Sequence, residues 1–257
     1  MRASLTPAIL GVLVAIGITT TMDATGYTNF SALPLLPLAL IFWAWQRLSR
    51  VEMGLTWGNL RGYGLALLYP GLVLGAATLI AFLLGAVDLS GADWEKAGLN
   101  MLLGSSMGTL MVLLTEEGFF RGWLWASLKR GGQSDTQVLV WTSVLFMLWH
   151  VSPISLDTGF NVPVAQIPVY LANATLLGTI WGMLRLLSGS AIVASVSHAV
   201  WNGIDYPLFG FGERTGALGI ERTDLYGPEV GFLGLILNLL FAAWLWGWLR
   251  HRGKAKA

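Results

Sequence analysis

The chain has 257 residues, 55% of them hydrophobic and only 11% charged, with a mean hydropathy of +0.65. Soluble domains carry roughly 25% charged residues, so this is the composition of an integral membrane protein whose solvent is the lipid bilayer. The absence of cysteine excludes disulfides, thiolate metal sites and cysteine nucleophiles, and a net charge of +1 without a basic patch excludes nucleic-acid binding as a reading.

Apolar runs long enough to approach a ~30 Å hydrocarbon core fall near residues 5–22, 31–46, 64–87, 98–128, 136–152, 163–187, 190–206 and 229–249. They predict an all-α, polytopic membrane fold of about eight transmembrane helices around an intramembrane polar cavity. The first run follows Arg2 but has no clear small-x-small cleavage site, and reads as a retained helix rather than a signal peptide. Residues 46–63, with Trp57 and Leu60 among Arg50, Glu52, Asn59 and Arg61, read as an interfacial segment. Residues 207–228, with Gly210, Gly212, Gly216, Gly219 and Gly227, read as a connector in preference to a substrate-admitting lid.

The chain divides into an N-terminal part, residues 1–97, of about three helices; a core, residues 98–206, that holds the intramembrane polar groups; and residues 207–257, a loop, the last helix and a basic tail. With eight spans, Arg2, Arg47, Arg50, Arg61, Lys129, Arg130, Arg185 and the tail residues Arg250, Arg252, Lys254 and Lys256 share one side. The opposite loops carry Asp23, then Asp88, Asp93, Glu95 and Lys96, then Asp157, then a mixed set from Glu213 to Glu229. The positive-inside rule puts both termini in the cytoplasm. The compact length and the lack of an organelle-targeting segment point to a bacterial inner (cell) membrane.

Charge within the spans is concentrated in Glu116, Glu117 and Arg121. An Asp, Lys or Arg at a membrane-helix centre costs roughly 2.5–3.5 kcal/mol, whereas a Leu or Phe contributes only about 0.3–0.6. Such a cluster is a functional-site hypothesis by default. Glu117 and Arg121 stand four apart with the acid N-terminal, the favourable order for a helical ion pair. Glu116 is rotated about 100° away and is free to point into a cavity. His150 lies near the end of the fifth run; His198 and Asn202, four apart, share one face of the seventh, with Asp205 three residues beyond. Neutral imidazole can bind a metal or pass a proton, a carboxylate can deprotonate water, and an amide N–H can stabilise an oxyanion. Those are the parts of a hydrolase.

The pattern Glu116-Glu117-x-x-x-Arg121, Phe146-x-x-x-His150, His198-x-x-x-Asn202 resembles the three signature motifs of the CPBP family of intramembrane proteases. That family comprises the CAAX prenyl endopeptidases of Ras-converting-enzyme type and the bacterial Abi immunity and processing proteins. The motifs come in the family's order, each on its own helix, and make residues 98–206 a CPBP-type catalytic core. The resemblance implies that Glu116 and His150 hold and activate a water, that His198 and Asn202 stabilise the oxyanion, and that Glu117 and Arg121 support them. It leaves open whether zinc is held by His150, His198 and Glu116; His-His-Glu ligation suits a catalytic zinc, but the helical H-E-x-x-H arrangement is absent. The implied partner is a membrane-anchored peptide or protein tail, cleaved by an intramembrane endopeptidase.

Other readings compete. Gly104-Ser105-Ser106-Met107-Gly108 matches G-x-S-x-G, but that elbow needs a strand-to-helix turn, and within a helix the glycines read as a packing surface. Aspartyl proteolysis lacks a G-x-G-D, and Asp205 is the only obvious intramembrane aspartate. A proton-coupled transporter would suit the ionisable cluster, yet no internal symmetry of the transporter kind is visible. A catalytically inactive immunity or scaffold protein would explain the Glu117–Arg121 pair and leave Glu116, His150, His198 and Asn202 as needless insertion costs.

Overall fold

A computed structural model describes residues 4–254; Arg2, Lys256 and the side chains of Arg252 and Lys254, which enter the charge pattern above, lie outside the described residues. The fold is helical apart from one short hairpin. Helix α1 (Thr6–Ala24) opens with Pro7 in its first turn, where a missing N–H costs nothing. Helix α2 (Leu35–Gln46) stops at Arg47, which is left-handed at φ 50°. Asn59 caps α3 (Leu60–Leu83) by accepting from the Gly62 N–H at 2.9 Å, and Asp93 caps α4 (Trp94–Leu114) through Lys96.

A π-helical turn (Gly118–Leu124) leads into α5 (Trp125–Arg130). Ser134 and Gln137 form a capping box at the start of α6 (Asp135–Trp149), and α7 (Val151–Ser155) follows at once. Helix α8 (Ile167–Ser188) ends at left-handed Gly189, and Ser190 caps α9 (Ala191–Phe209). Strands β1 (Gly210–Phe211) and β2 (Arg214–Thr215) pair antiparallel, then α10 (Thr223–Tyr226) and α11 (Phe232–Lys254) complete the chain.

Among the described residues, seven helical segments are long and apolar enough to cross a membrane: Thr6–Ala24, Thr28–Gln46, Leu60–Leu83, Trp94–Arg130, Asp135–Ser155, Val164–Ser188 and Phe232–His251. The remaining predicted span is α9, a 19-residue helix that is more polar because of Ser195, Ser197, His198, Asn202 and Asp205. It packs against α3, α4 and α8, and most of these polar residues are buried. A helix enclosed by other helices is free of the demand that its surface be apolar, which is where intramembrane ionisable groups are tolerated.

The closest approach in that enclosure is between α4 and α9. A Cβ on Gly104 would sit 3.0 Å from the Gly203 Cα, and one on Gly203 would run into Ser105. Gly108 faces the Ala199 methyl, so Gly104 and Gly108 form the small-residue surface that lets two backbones nearly touch. Ser106 donates its hydroxyl to the Leu102 carbonyl of its own helix at 2.6 Å, and the G-x-S-x-G string lies in mid-helix, with no elbow.

Of the predicted interfacial segment 46–63, residues 47–59 form a turn-rich strap between α2 and α3, with Trp57 on it and Leu60 at the start of α3 81% and 90% exposed. The strap is fastened by Arg185, which donates to the Glu52 carbonyl at 3.0 Å, and by a two-pronged Arg130–Glu52 pair at 2.6 and 2.9 Å. The hydrogen bond from Arg130 holds the Glu52 carboxyl down at about 2.

Candidate active site

Helix α4 breaks at Thr115, whose ψ of −96° is not helical, and the chain resumes as Glu116-Glu117 and the π-helical turn. Gly118 makes this possible, because a Cβ there would strike the Leu113 carbonyl. Single π-turns inside helices cluster at functional sites. Beyond the break, Glu117 and Arg121 are both fully buried and paired at 3.0 Å. Arg121 also donates to the Gly178 carbonyl at 2.8 Å and lies over the Phe146 ring at 4.5 Å.

Glu117 is shared. The Oε1 atom that meets Arg121 is also 3.0 Å from His198 Nδ1, so this glutamate orients a histidine as well as satisfying a cation. His198 stacks on Trp181 with ring centroids 3.8 Å apart. His150 Nδ1 donates to the Phe146 carbonyl at 2.9 Å, which leaves its Nε2 as an acceptor. Glu116 Oε2 stands 3.9 Å from the Nε2 of His150 and 3.9 Å from the Nε2 of His198. Glu116, His150, His198 and Asn202 line one inner chamber of about 60 Å³. It adjoins an outer cavity of about 710 Å³, whose wall includes Trp149, Phe160, Phe211 and Arg214. Glu116, His150, Tyr170, Asn202 and Tyr206 belong to both. The connector at 207–228 thus supplies wall to the outer cavity through Phe211 and Arg214. Asp205 is buried but borders neither space.

Residues 98–204 match a family model, Rce1-like, described as type II CAAX prenyl endopeptidase Rce1-like. No curated protein and no solved structure matches the chain. The matched stretch runs from within α4 into α9 and contains the three motifs, so this Rce1-like domain is similar to the CAAX-type membrane proteases. Everything before residue 98 or after residue 204 is additional to the matched stretch.

Two such additions touch the site and were not legible in sequence. The first is α1: Trp149 donates to Thr19 at 2.7 Å and Ser152 to Asp23 at 2.6 Å, so the residues either side of His150 are both tied to one helix outside the Rce1-like domain. The charge pattern assigned Asp23 to a loop; it is buried at the end of α1, a second intramembrane aspartate beside Asp205. The second is Glu229, also assigned to a loop. It is buried and lines the inner chamber. Its one sequence signal is an acid directly before the apolar run of α11 with no cation three or four residues away.

The donor set of Glu116, His150 and His198 has the chemistry for zinc, but not the spacing. Tetrahedral ligands at 2.0–2.1 Å from zinc lie roughly 3.4 Å from one another, less than the 3.9 Å from Glu116 Oε2 to each imidazole. Among the described residues no group of His, Asp or Glu is placed to hold a metal.

Proposed function

We propose that the chain is an intramembrane endopeptidase that cleaves a membrane-anchored peptide or protein tail by direct glutamate and histidine activation of water. The observation that carries the reading is the convergence of Glu116 Oε2 and two imidazole Nε2 atoms in one chamber with Asn202. Water held between Glu116 and His150 passes a proton to the Glu116 carboxylate, and its oxygen bonds to the scissile carbonyl carbon. The resulting oxyanion accepts from the Asn202 amide and from the Nε2–H of a His198 imidazolium, which enters and leaves the cycle with both its protons. Glu117 supports that cation at Nδ1, and the Trp181 face stacks against it. Collapse of the intermediate breaks the C–N bond while Glu116 returns its proton to the leaving nitrogen. Preorganised donors of the oxyanion-hole kind typically supply about 10²–10³ in rate.

The outer cavity, of about 710 Å³, suits an extended tail, being within the roughly 300–1,000 Å³ range that buries most of a ligand. The basic-loop pattern supports cytoplasmic termini. In the test, purified Glu116→Gln and His150→Ala proteins lose peptide cleavage while retaining membrane insertion and melting temperature; full turnover by either sinks the proposal. Chelation leaves wild-type turnover unchanged in this mechanism. Loss of activity on chelation, restored by zinc found at stoichiometric level by elemental analysis, would replace it with a metal mechanism.

A further inference from the structure

Glu229 belongs to no motif of the Rce1-like domain and lies 25 residues beyond its matched end at residue 204, yet its side chain helps to wall the chamber that holds Glu116, His150, His198 and Asn202. Its carboxylate accepts from the Trp201 indole N–H at 2.8 Å, and Tyr206 lines the same chamber. Trp201 lies on α9 between His198 and Asn202, and Tyr206 one turn beyond, at the junction of the inner chamber and the outer cavity.

The anchor that presents Glu229 is itself built. Its backbone carbonyl accepts from Asn173 at 2.9 Å, Asn173 accepts from Asn238 at 3.0 Å, and Asn238 accepts from the Tyr69 hydroxyl at 2.6 Å. Tyr69 then stacks on Trp201 at 5.1 Å with the planes 10° apart. Trp201 is held by its face and its N–H at once, and helices α3, α8, α9 and α11 close a ring of polar contacts on one side of the site. A buried network of this kind specifies one arrangement when its members are satisfied.

We infer that Glu229 is a positioning residue for the proteolytic step, acting through Trp201 to hold the α9 face that presents His198 and Asn202 to the developing oxyanion. This rests on the peptidase reading above. Gln at 229 keeps an acceptor for the Trp201 N–H, whereas Ala keeps none, so the pair separates contact from mere occupancy.

The experiment uses the full-length protein in liposomes with a membrane-anchored fluorogenic peptide, and the side-chain N–H resonance of Trp201, assigned by Trp201→Phe. Glu229→Ala lowers kcat at least about tenfold, some 1.4 kcal/mol of barrier, with KM within about twofold of wild type. It also moves the Trp201 resonance upfield. Glu229→Gln restores both. Wild-type kcat in Glu229→Ala, or failure of Glu229→Gln to restore turnover while its Trp201 resonance is normal, overturns the inference. Should Glu229→Ala not fold, Trp201→Phe takes its place, since it removes the N–H that Glu229 accepts and keeps an aromatic face: lowered kcat at unchanged KM supports the inference and full kcat overturns it. A wild-type protein that cleaves nothing fails at the earlier step, and the inference falls with the peptidase reading while the Trp201 contact stands.

Discussion

Glu117 is the residue on which stability and chemistry meet. One of its oxygens serves both Arg121 and His198, so removing Arg121 takes the guanidinium from a buried carboxylate that keeps its His198 contact. Breaking a buried pair by deleting one partner costs about 3–5 kcal/mol; Arg121→Ala therefore lowers the melting temperature and yield in detergent, and an unaltered melting temperature would contradict the pairing. The exposed Glu52–Arg130 pair behaves differently. The Glu52 carboxyl drops from its ordinary 4.5 to about 2 because Arg130 hydrogen-bonds it. A depressed carboxylate contributes stability above its unfolded value and loses it as pH falls through the folded one. The melting difference between wild type and Glu52→Gln is thus present above about pH 4.5 and fades toward about pH 2. Both partners are over a third exposed on their side chains, so the difference is small, and a difference that grows on acidification would refute the pair's role.

At the scale of elements, what decides the site is a defect and a crossing. The break at Thr115 and the π-turn from Gly118 turn Glu116 toward His150 and His198, while the Gly104–Gly203 contact sets α9 against α4. Gly203→Val places a branched side chain into Ser105; overpacking of this kind typically costs about 1–3 kcal/mol, with loss of activity, measured as lowered melting temperature and cleavage together. Unchanged values in both would mean that the helices do not meet at these glycines.

The helical runs and the polar motifs were legible because hydropathy and i,i+4 spacing are local. The π-turn was not, since residues 98–128 read as one continuous apolar run and nothing in composition marks an added residue per turn. The polar character of α9 was legible in its residues, but its enclosure by α3, α4 and α8 was not.

Across the whole molecule, the groups proposed to react lie in the Rce1-like stretch, and contacts from outside it reach their neighbours. Helix α1 ties both flanks of His150, and the segment before α11 ties α9. These are contacts over 28 to 130 residues, which a single sequence does not display, and they are why Asp23 and Glu229 read as loop charges. The central claim is that Glu116 activates water for cleavage of a peptide bond at the membrane. Its most direct test is mass spectrometry of a membrane-anchored peptide incubated with the protein in oxygen-18 water. The wild type yields two fragments with one heavy oxygen in the new C-terminal carboxyl, and Glu116→Gln, inserted and folded equally well, yields none; cleavage by Glu116→Gln at the wild-type rate would contradict the account.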